Sequence, residues 1–127
     1  MSDEPEMKTG TIVWRDLTVP DAEAIRDFYS AVTGWTSSPQ DMGGYDDYNM
    51  ISAADGQVVA GICHARGSNA NLPSQWLVYV AVESMDQSIK RCIESGGQVI
   101  DGPRSMGEMR FCVIQDPAGA VMGLIGP

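Results

Sequence analysis

The chain has 127 residues, of which 43 % are hydrophobic and 20 % are charged. This length and composition fit one compact domain that buries a core without disulfides or metal. Seventeen acidic residues against eight basic ones give a formal net charge of -9. Because nucleic acids and anionic membranes are bound through clustered Lys and Arg, this balance argues against both partners. No apolar run approaches the roughly 20 residues that span a bilayer.

The three cysteines are odd in number, widely spaced and without a C-x-x-C pair. This spacing predicts reduced thiols in a cytoplasmic protein rather than a disulfide framework. Residues 1–10 are polar and acidic and lack the apolar stretch of a signal peptide. We therefore expect a short disordered tail before the folded domain.

The first half of the chain predicts a strand, a helix and further strands. Pro20 breaks a β-branched and aromatic run, apolar residues then recur at helical spacing, and Gly34 fits the end of the helix. The Gly- and Ser-containing stretch from Trp35 to Tyr48 is expected to be mostly loop. In chain order, the predicted elements are a strand at 11–19, a helix at 21–34, and strands at 48–52 and 58–63.

The second half repeats this order. Ser84 and Gln87 have the spacing of a capping box, and Gly96–Gly97 ends the helix. The predicted elements are strands at 76–82, 98–100, 110–115 and 120–125, with a helix at 84–97. Landmarks recur at an offset of about 63 residues, as in Val19 and Val82. We predict an α+β fold of two βαβββ modules in tandem, at 11–65 and 76–127, joined by a linker at 66–75.

Three runs in this order resemble the vicinal-oxygen-chelate superfamily of glyoxalases, bleomycin-resistance proteins and extradiol dioxygenases. They are V-W-R-D-L-T-V-P-D with the later F-Y and G-W, V-A-V-E-S-M-D-Q-S-I-K-R-C-I-E-S-G-G, and F-C-V-I-Q-D-P-A-G-A-V-M-G-L-I. The resemblance covers Thr11 to Ile125. It implies a curled, barrel-like sheet built from the two modules, with the ligand held in a cleft between them.

The resemblance also implies a divalent metal, held by His, Gln or Glu on the first and last strands of each module. Carried over by position, these places are Trp14, Ala60, Leu77 and Gly123. None of these side chains is a metal ligand, and their neighbours are no better. We therefore predict a divergent member with no metal site and no cofactor.

Five residues are predicted to line the ligand site, and no catalytic residue is assigned. These five are Trp14, Asp16, Leu77, Tyr79 and Phe111. The lone histidine, His64, follows Cys63, and adjacent residues of a strand point to opposite faces. We therefore expect this pair not to act on one atom. Asp46–Asp47 is expected to be a solvated loop.

The predicted function is metal-independent binding of a small, partly apolar molecule by a cytoplasmic homodimer. Two alternatives remain open at this point. One is a glyoxalase-like lyase, isomerase or dioxygenase with an atypical site, in which Asp16 or Tyr79 would act as an acid or base. The other is an interaction module that has lost the ancestral chemistry.

Overall fold

The computed structural model describes residues 7–127, so most of the predicted acidic tail lies outside the described residues. Its eight strands and two α-helices follow one another as two successive βαβββ sets. The elements are β1 (Ile12–Val19), α1 (Ala22–Thr33), β2 (Thr36–Asp41), β3 (Asp46–Ile51), β4 (Val58–His64), β5 (Trp76–Ala81), α2 (Met85–Glu94), β6 (Gln98–Met106), β7 (Met109–Gln115) and β8 (Val121–Gly126), with a 3₁₀ turn at Gly67–Asn69. The predicted α+β fold class is confirmed.

The chain divides into two compact units. The first unit is Trp14–Trp76, and the second is Leu77–Pro127 together with the described residues before Trp14. The module boundaries and the linker at 66–75 stay a prediction. Within the described range 7–127, no helix is both long enough and apolar enough to cross a membrane.

The first unit orders its strands β2-β3-β4-β1. Strands β1 and β4 are parallel, and the other two pairings are antiparallel. Helix α1 begins at Asp21, whose carboxylate accepts a hydrogen bond from the Ala24 amide, and it ends at Gly34 in the left-handed conformation. One face of the strands packs on α1, and its core includes Leu17, Tyr48, Met50, Ala60 and Ile62.

An aromatic cluster packs against this helix-side core. The indole Nε1 of Trp76 donates a hydrogen bond to the Tyr29 hydroxyl at 3.0 Å. The ring of Trp35 lies 5.9 Å from that of Trp76, nearly at right angles. The Tyr29 oxygen therefore satisfies the indole N–H of Trp76 while the rings fill space.

The second unit orders its strands β5-β8-β7-β6, with β5 parallel to β8. The segment before β1 belongs here, because Gly10 donates a backbone hydrogen bond to the Ala81 carbonyl at 2.7 Å. Helix α2 begins at Ser84, whose hydroxyl accepts from the Gln87 amide at 3.3 Å, as the sequence spacing predicted. Its core consists of Met85, Cys112 and Leu124.

Two strands differ from the sequence expectation. Residues Thr36–Asp41 were expected to be loop, but they form the edge strand β2. The run T-S-S-P-Q-D gives no apolar alternation, and Pro39 is tolerated because an edge strand leaves backbone groups unpaired. Strand β6 reaches Met106 rather than residue 100, with irregular register around Gly102 and Pro103. Both segments form strands because they pair antiparallel with a neighbouring strand, and not because their own sequence shows an apolar alternation.

Candidate functional site

Each unit has a strand face turned away from its helix, called here the helix-free face. In the first unit, Leu17 and Ala60 belong to the helix-side core. Because side chains alternate along a strand, Trp14 and Asp16 of β1 lie on the opposite face. Gly61 lies with them, since a Cβ built on it would meet Trp14 at 3.2 Å and Asp16 at 3.4 Å.

The carried-over position on β4, Ala60, lies on the helix side rather than beside Trp14. Ala60 is 1 % exposed and packs on the α1 side, so its side chain does not share a face with Trp14. Strand alternation gives that place to Gly61, which pairs with Asp16 in register. Neither residue carries a metal ligand, so the chemical conclusion for this position is unchanged.

Trp14 and Asp16 lie together on the first unit's helix-free face. The indole Nε1 of Trp14 donates a hydrogen bond to the Asp16 carboxylate at 3.3 Å. Both side chains are partly buried. Asn49 of β3 lies on the same face by alternation with the core residues Tyr48 and Met50. This face offers a flat aromatic surface beside hydrogen-bonding groups.

A second polar group on this unit was missed by the sequence reasoning. Asp47 was expected in a solvated loop, but it lies on β3 and is only 7 % exposed. Its carboxylate accepts from the His64 backbone amide at 2.8 Å and lies 3.4 Å from the His64 ring nitrogen Nδ1. The negative charge of the same carboxylate also acts on the Cys63 thiol. Cys63 and His64 therefore both interact with Asp47, because the backbone amide of His64 lies within hydrogen-bonding distance of it at the end of β4.

The Cys63 thiol is held in its neutral form. Burial raises its pKa, and the negative charges of Asp16 and Asp47 raise it further. A catalytic cysteine needs positive surroundings that favour the thiolate. Cys63 therefore lacks the activation that a nucleophilic cysteine needs. All three cysteines are free.

The helix-free face of the second unit is more tightly packed. Leu77 is 1 % exposed and Tyr79 is 6 % exposed. Tyr79 and Gly123 are register partners on the parallel strands β5 and β8, and the tyrosine ring lies directly beside the glycine. Both predicted ligand residues of β5 are thus buried packing residues in this structure.

Phe111, the fifth predicted ligand residue, lies on β7 under a cation. The Arg104 guanidinium lies 5.0 Å above the centroid of its ring and pairs with Asp101. Arg110, the next residue of the chain before Phe111, forms a salt bridge with Asp86 at 3.1 Å.

An open depression of about 560 Å³ lies elsewhere on the second unit. Polar residues of α2 and its N-terminal cap line it, among them Ser84, Gln87 and Arg91, together with Val80 and Ala81 of β5 and Thr9. None of the five predicted ligand residues lines this depression. It therefore adds no support to the predicted site.

The glyoxalase-like domain model matches residues 12–125. The chain belongs to the glyoxalase-like family. This glyoxalase-like chain is 32 % identical over 121 residues to CFP32 of Mycobacterium tuberculosis, provisionally named a glyoxylase, covering 94 % of this chain and 45 % of that protein. It is 33 % identical over 128 residues to the anthracycline biosynthesis protein DnrV of Streptomyces peucetius, covering 91 % and 46 %. The chain thus spans about half the length of the curated relatives it matches.

Solved structures share the fold of this glyoxalase-like chain. A glyoxalase/bleomycin resistance protein/dioxygenase superfamily member from Vibrio splendidus has a TM-score of 0.60 at 14 % identity, covering 92 % of this chain and 100 % of that one. Methylmalonyl-CoA epimerase from Mycobacterium tuberculosis has a TM-score of 0.58 at 15 % identity, covering 98 % and 93 %. At such low identity these likenesses establish the fold alone.

The residues of this chain do not fit the divalent metal that the superfamily implies. On the helix-free faces, Trp14 lies against Gly61 and the Tyr79 ring lies beside Gly123, while Leu77 is aliphatic. Across residues 7–127, no group of three or more His, Cys, Asp or Glu residues is placed to hold a metal ion. A metal needs three or four converging N, O or S donors. No step of the proposed function therefore runs through a metal.

Proposed function

We propose that this glyoxalase-like chain binds a small, partly apolar molecule on the helix-free face of its first unit, without a resident metal. The observation that carries this proposal is the pairing of an aromatic ring with a carboxylate there: Trp14 and Asp16 are hydrogen-bonded and partly exposed. Binding sites for small molecules combine apolar surface with a few placed polar groups. Asn49 adds an amide to the same face.

The charge of this face sets the preferred ligand. Asp16 supplies an acceptor and a negative charge, and the buried Asp47 adds a second carboxylate nearby. Opposite charges attract and like charges repel, so these carboxylates favour a neutral or cationic ligand over an anion. The Trp14 ring suits a flat, unsaturated part of such a molecule. The name of the relative DnrV makes an anthracycline a reasonable first probe.

Equilibrium binding tests this proposal. A panel of flat aromatic molecules, including an anthracycline and matched neutral, cationic and anionic naphthalenes, would be titrated by calorimetry into the wild-type chain. Saturable binding is expected, and Trp14→Ala should weaken it by about tenfold or more. Trp35→Ala is the matched control, because Trp35 lies in the aromatic cluster of the helix-side core. Absence of saturable binding across the panel, or equal losses in both variants, would contradict the proposal.

An enzymatic function is the second candidate. Asp16 is a carboxylate beside a partly exposed aromatic surface, which is where a general base could reach a bound molecule. Exchange of acidic C–H protons for deuterium in any ligand found by titration can be followed by NMR. Asp16→Asn should abolish such exchange while Asp55→Asn, in an exposed turn, leaves it unchanged. Exchange that survives Asp16→Asn removes this role for Asp16.

We also propose that the chain pairs as a homodimer in a reducing, cytoplasmic setting. Helix α1 exposes Phe28 at 56 % and Val32 at 65 %, one turn apart on the same side. Two exposed apolar side chains in one place suit a protein contact. Sedimentation equilibrium should show a dimer that Val32→Glu weakens. A concentration-independent monomer would exclude this contact, and with it the interaction-module alternative on this surface.

A further inference from the structure

The contact between Tyr79 and Gly123 is closer than any side chain at position 123 allows. A Cβ built on Gly123 would overlap the ring atoms Cδ2 and Cε2 of Tyr79 and would lie 2.7 Å from its Cγ. Ordinary carbon contacts are about 3.5 to 4.0 Å. The Tyr79 ring is rigid and buried, so it cannot move aside as the end of a long, flexible side chain would. Position 123 must therefore be glycine while Tyr79 keeps its place.

The corresponding pair in the first unit is looser. A Cβ on Gly61 would lie 3.2 Å from the Trp14 ring and 3.4 Å from the Asp16 Cβ. These distances require shifts of only a few tenths of an ångström. Trp14 is also partly exposed, whereas Tyr79 is 6 % exposed. The two helix-free faces thus differ, one open to contact and the other closed by its own side chain.

We infer that the Tyr79 ring closes the second unit's helix-free face beside Gly123, and that a smaller residue at 79 opens a site there for a small aromatic molecule. The closure excludes both a metal-ligating side chain at position 123 and any ligand group that would enter the same space. It does not rest on the proposed binding function, which concerns the first unit.

A double-mutant cycle tests the closure. Gly123→Ala should lower the thermal midpoint by about 5 °C or more, because it forces extra volume into packed surroundings. In a Tyr79→Ala background, the same change should have almost no effect. Gly61→Ala is the matched control and should lower the midpoint less than Gly123→Ala does. If Tyr79→Ala does not fold, Tyr79→Leu replaces it in the cycle, because it keeps an apolar side chain without the ring.

Rescue by a small molecule tests the opened site. The probe is p-cresol, which has the shape of the missing tyrosine side chain. A ligand that binds only the folded state raises the midpoint, and apolar cavities made by truncation accept small aromatic molecules. We expect p-cresol to raise the midpoint of Tyr79→Ala, or of Tyr79→Leu to a smaller extent, and not that of the wild type.

Two results would overturn the inference. One is a Gly123→Ala midpoint equal to the wild-type value, or lowered equally in both backgrounds, since either would show that the ring does not block the position. The other is an absence of p-cresol stabilisation in both Tyr79 variants, which would show that no aromatic site opens. Neither measurement uses the ligand of the wild-type face. A failed ligand titration would therefore count against the proposed function without touching the closure by Tyr79.

Discussion

Removing the carboxylate of Asp47 should destabilise the chain by about 2 kcal/mol. Asp47 is 7 % exposed, and its Oδ1 accepts the His64 backbone N–H at 2.8 Å. A hydrogen bond to a charged group contributes about 1.5 to 3 kcal/mol, and Asp47→Ala leaves the amide donor without this acceptor. We place the loss in the lower half of this range, because the strand end can relax after the substitution and let water bind the free amide.

Urea unfolding at pH 7.5 measures this loss. For a chain of this size, about 2 kcal/mol corresponds to a fall of about 1 M in the urea midpoint at unchanged slope. Asp46→Ala is the matched control, because it removes the same charge from the preceding residue, which is exposed. Its effect should stay within about 0.5 kcal/mol.

A second substitution separates charge from hydrogen bonding. Asp47→Asn keeps an acceptor oxygen for the His64 amide but removes the negative charge. We expect its midpoint to lie between those of the wild type and Asp47→Ala. If Asp47→Ala and Asp46→Ala unfold at the same urea concentration, the structural role assigned to Asp47 is wrong.

Three further predictions concern stability. Burial raises the pKa of the Cys112 thiol from 9.0 to about 11, so the unfolded chain ionises first and stability should fall between pH 9 and 11. Cys112 contributes about 1.4 kcal/mol per pH unit to this fall in the free energy of unfolding. Cys112→Val should remove this contribution when urea unfolding is measured across the same pH range. An unchanged dependence of stability on pH would refute the prediction. The hydrogen bond between Trp76 and Tyr29 should be lost in either Trp76→Phe or Tyr29→Phe, and each should lower the free energy of urea unfolding by about 1 kcal/mol. The double variant should lose little more than either single variant. Fully additive losses would show that the two residues are not coupled. Ser84→Ala should lower the free energy of unfolding by about 1 kcal/mol because the helix loses its cap, whereas Ser88→Ala should not. Equal thermal midpoints for these two variants would contradict this.

Local sequence signals predicted the parts of the fold whose stabilising contacts are local. The left-handed Gly34 and the Ser84 cap involve residues within one helical turn, and both occur where the sequence placed them. The same holds for β5, whose apolar run is continuous. Strand β2 was missed because its polar residues become a strand only through pairing with β3. Its signal lies in the partner rather than in its own residues.

The candidate site shows the same division. From the sequence alone, the absence of His, Gln or Glu at the four carried-over positions was evident, because residue identity decides metal chemistry. The sequence also named Trp14 and Asp16 as ligand residues, and their shared face follows from period-two alternation, which is a property of the strand itself.

Only the tertiary structure decided which of the named residues are accessible and which are packed. It buried Asp47 by bringing it to the end of β4, it set Ala60 against α1, and it placed the Tyr79 ring over Gly123. These outcomes depend on contacts between residues far apart in the chain, and no local pattern encodes the distance between two strands. The sequence therefore determined the fold family and the side chains at the carried-over positions, and the packing of strand on strand determined which of the named residues stay partly exposed.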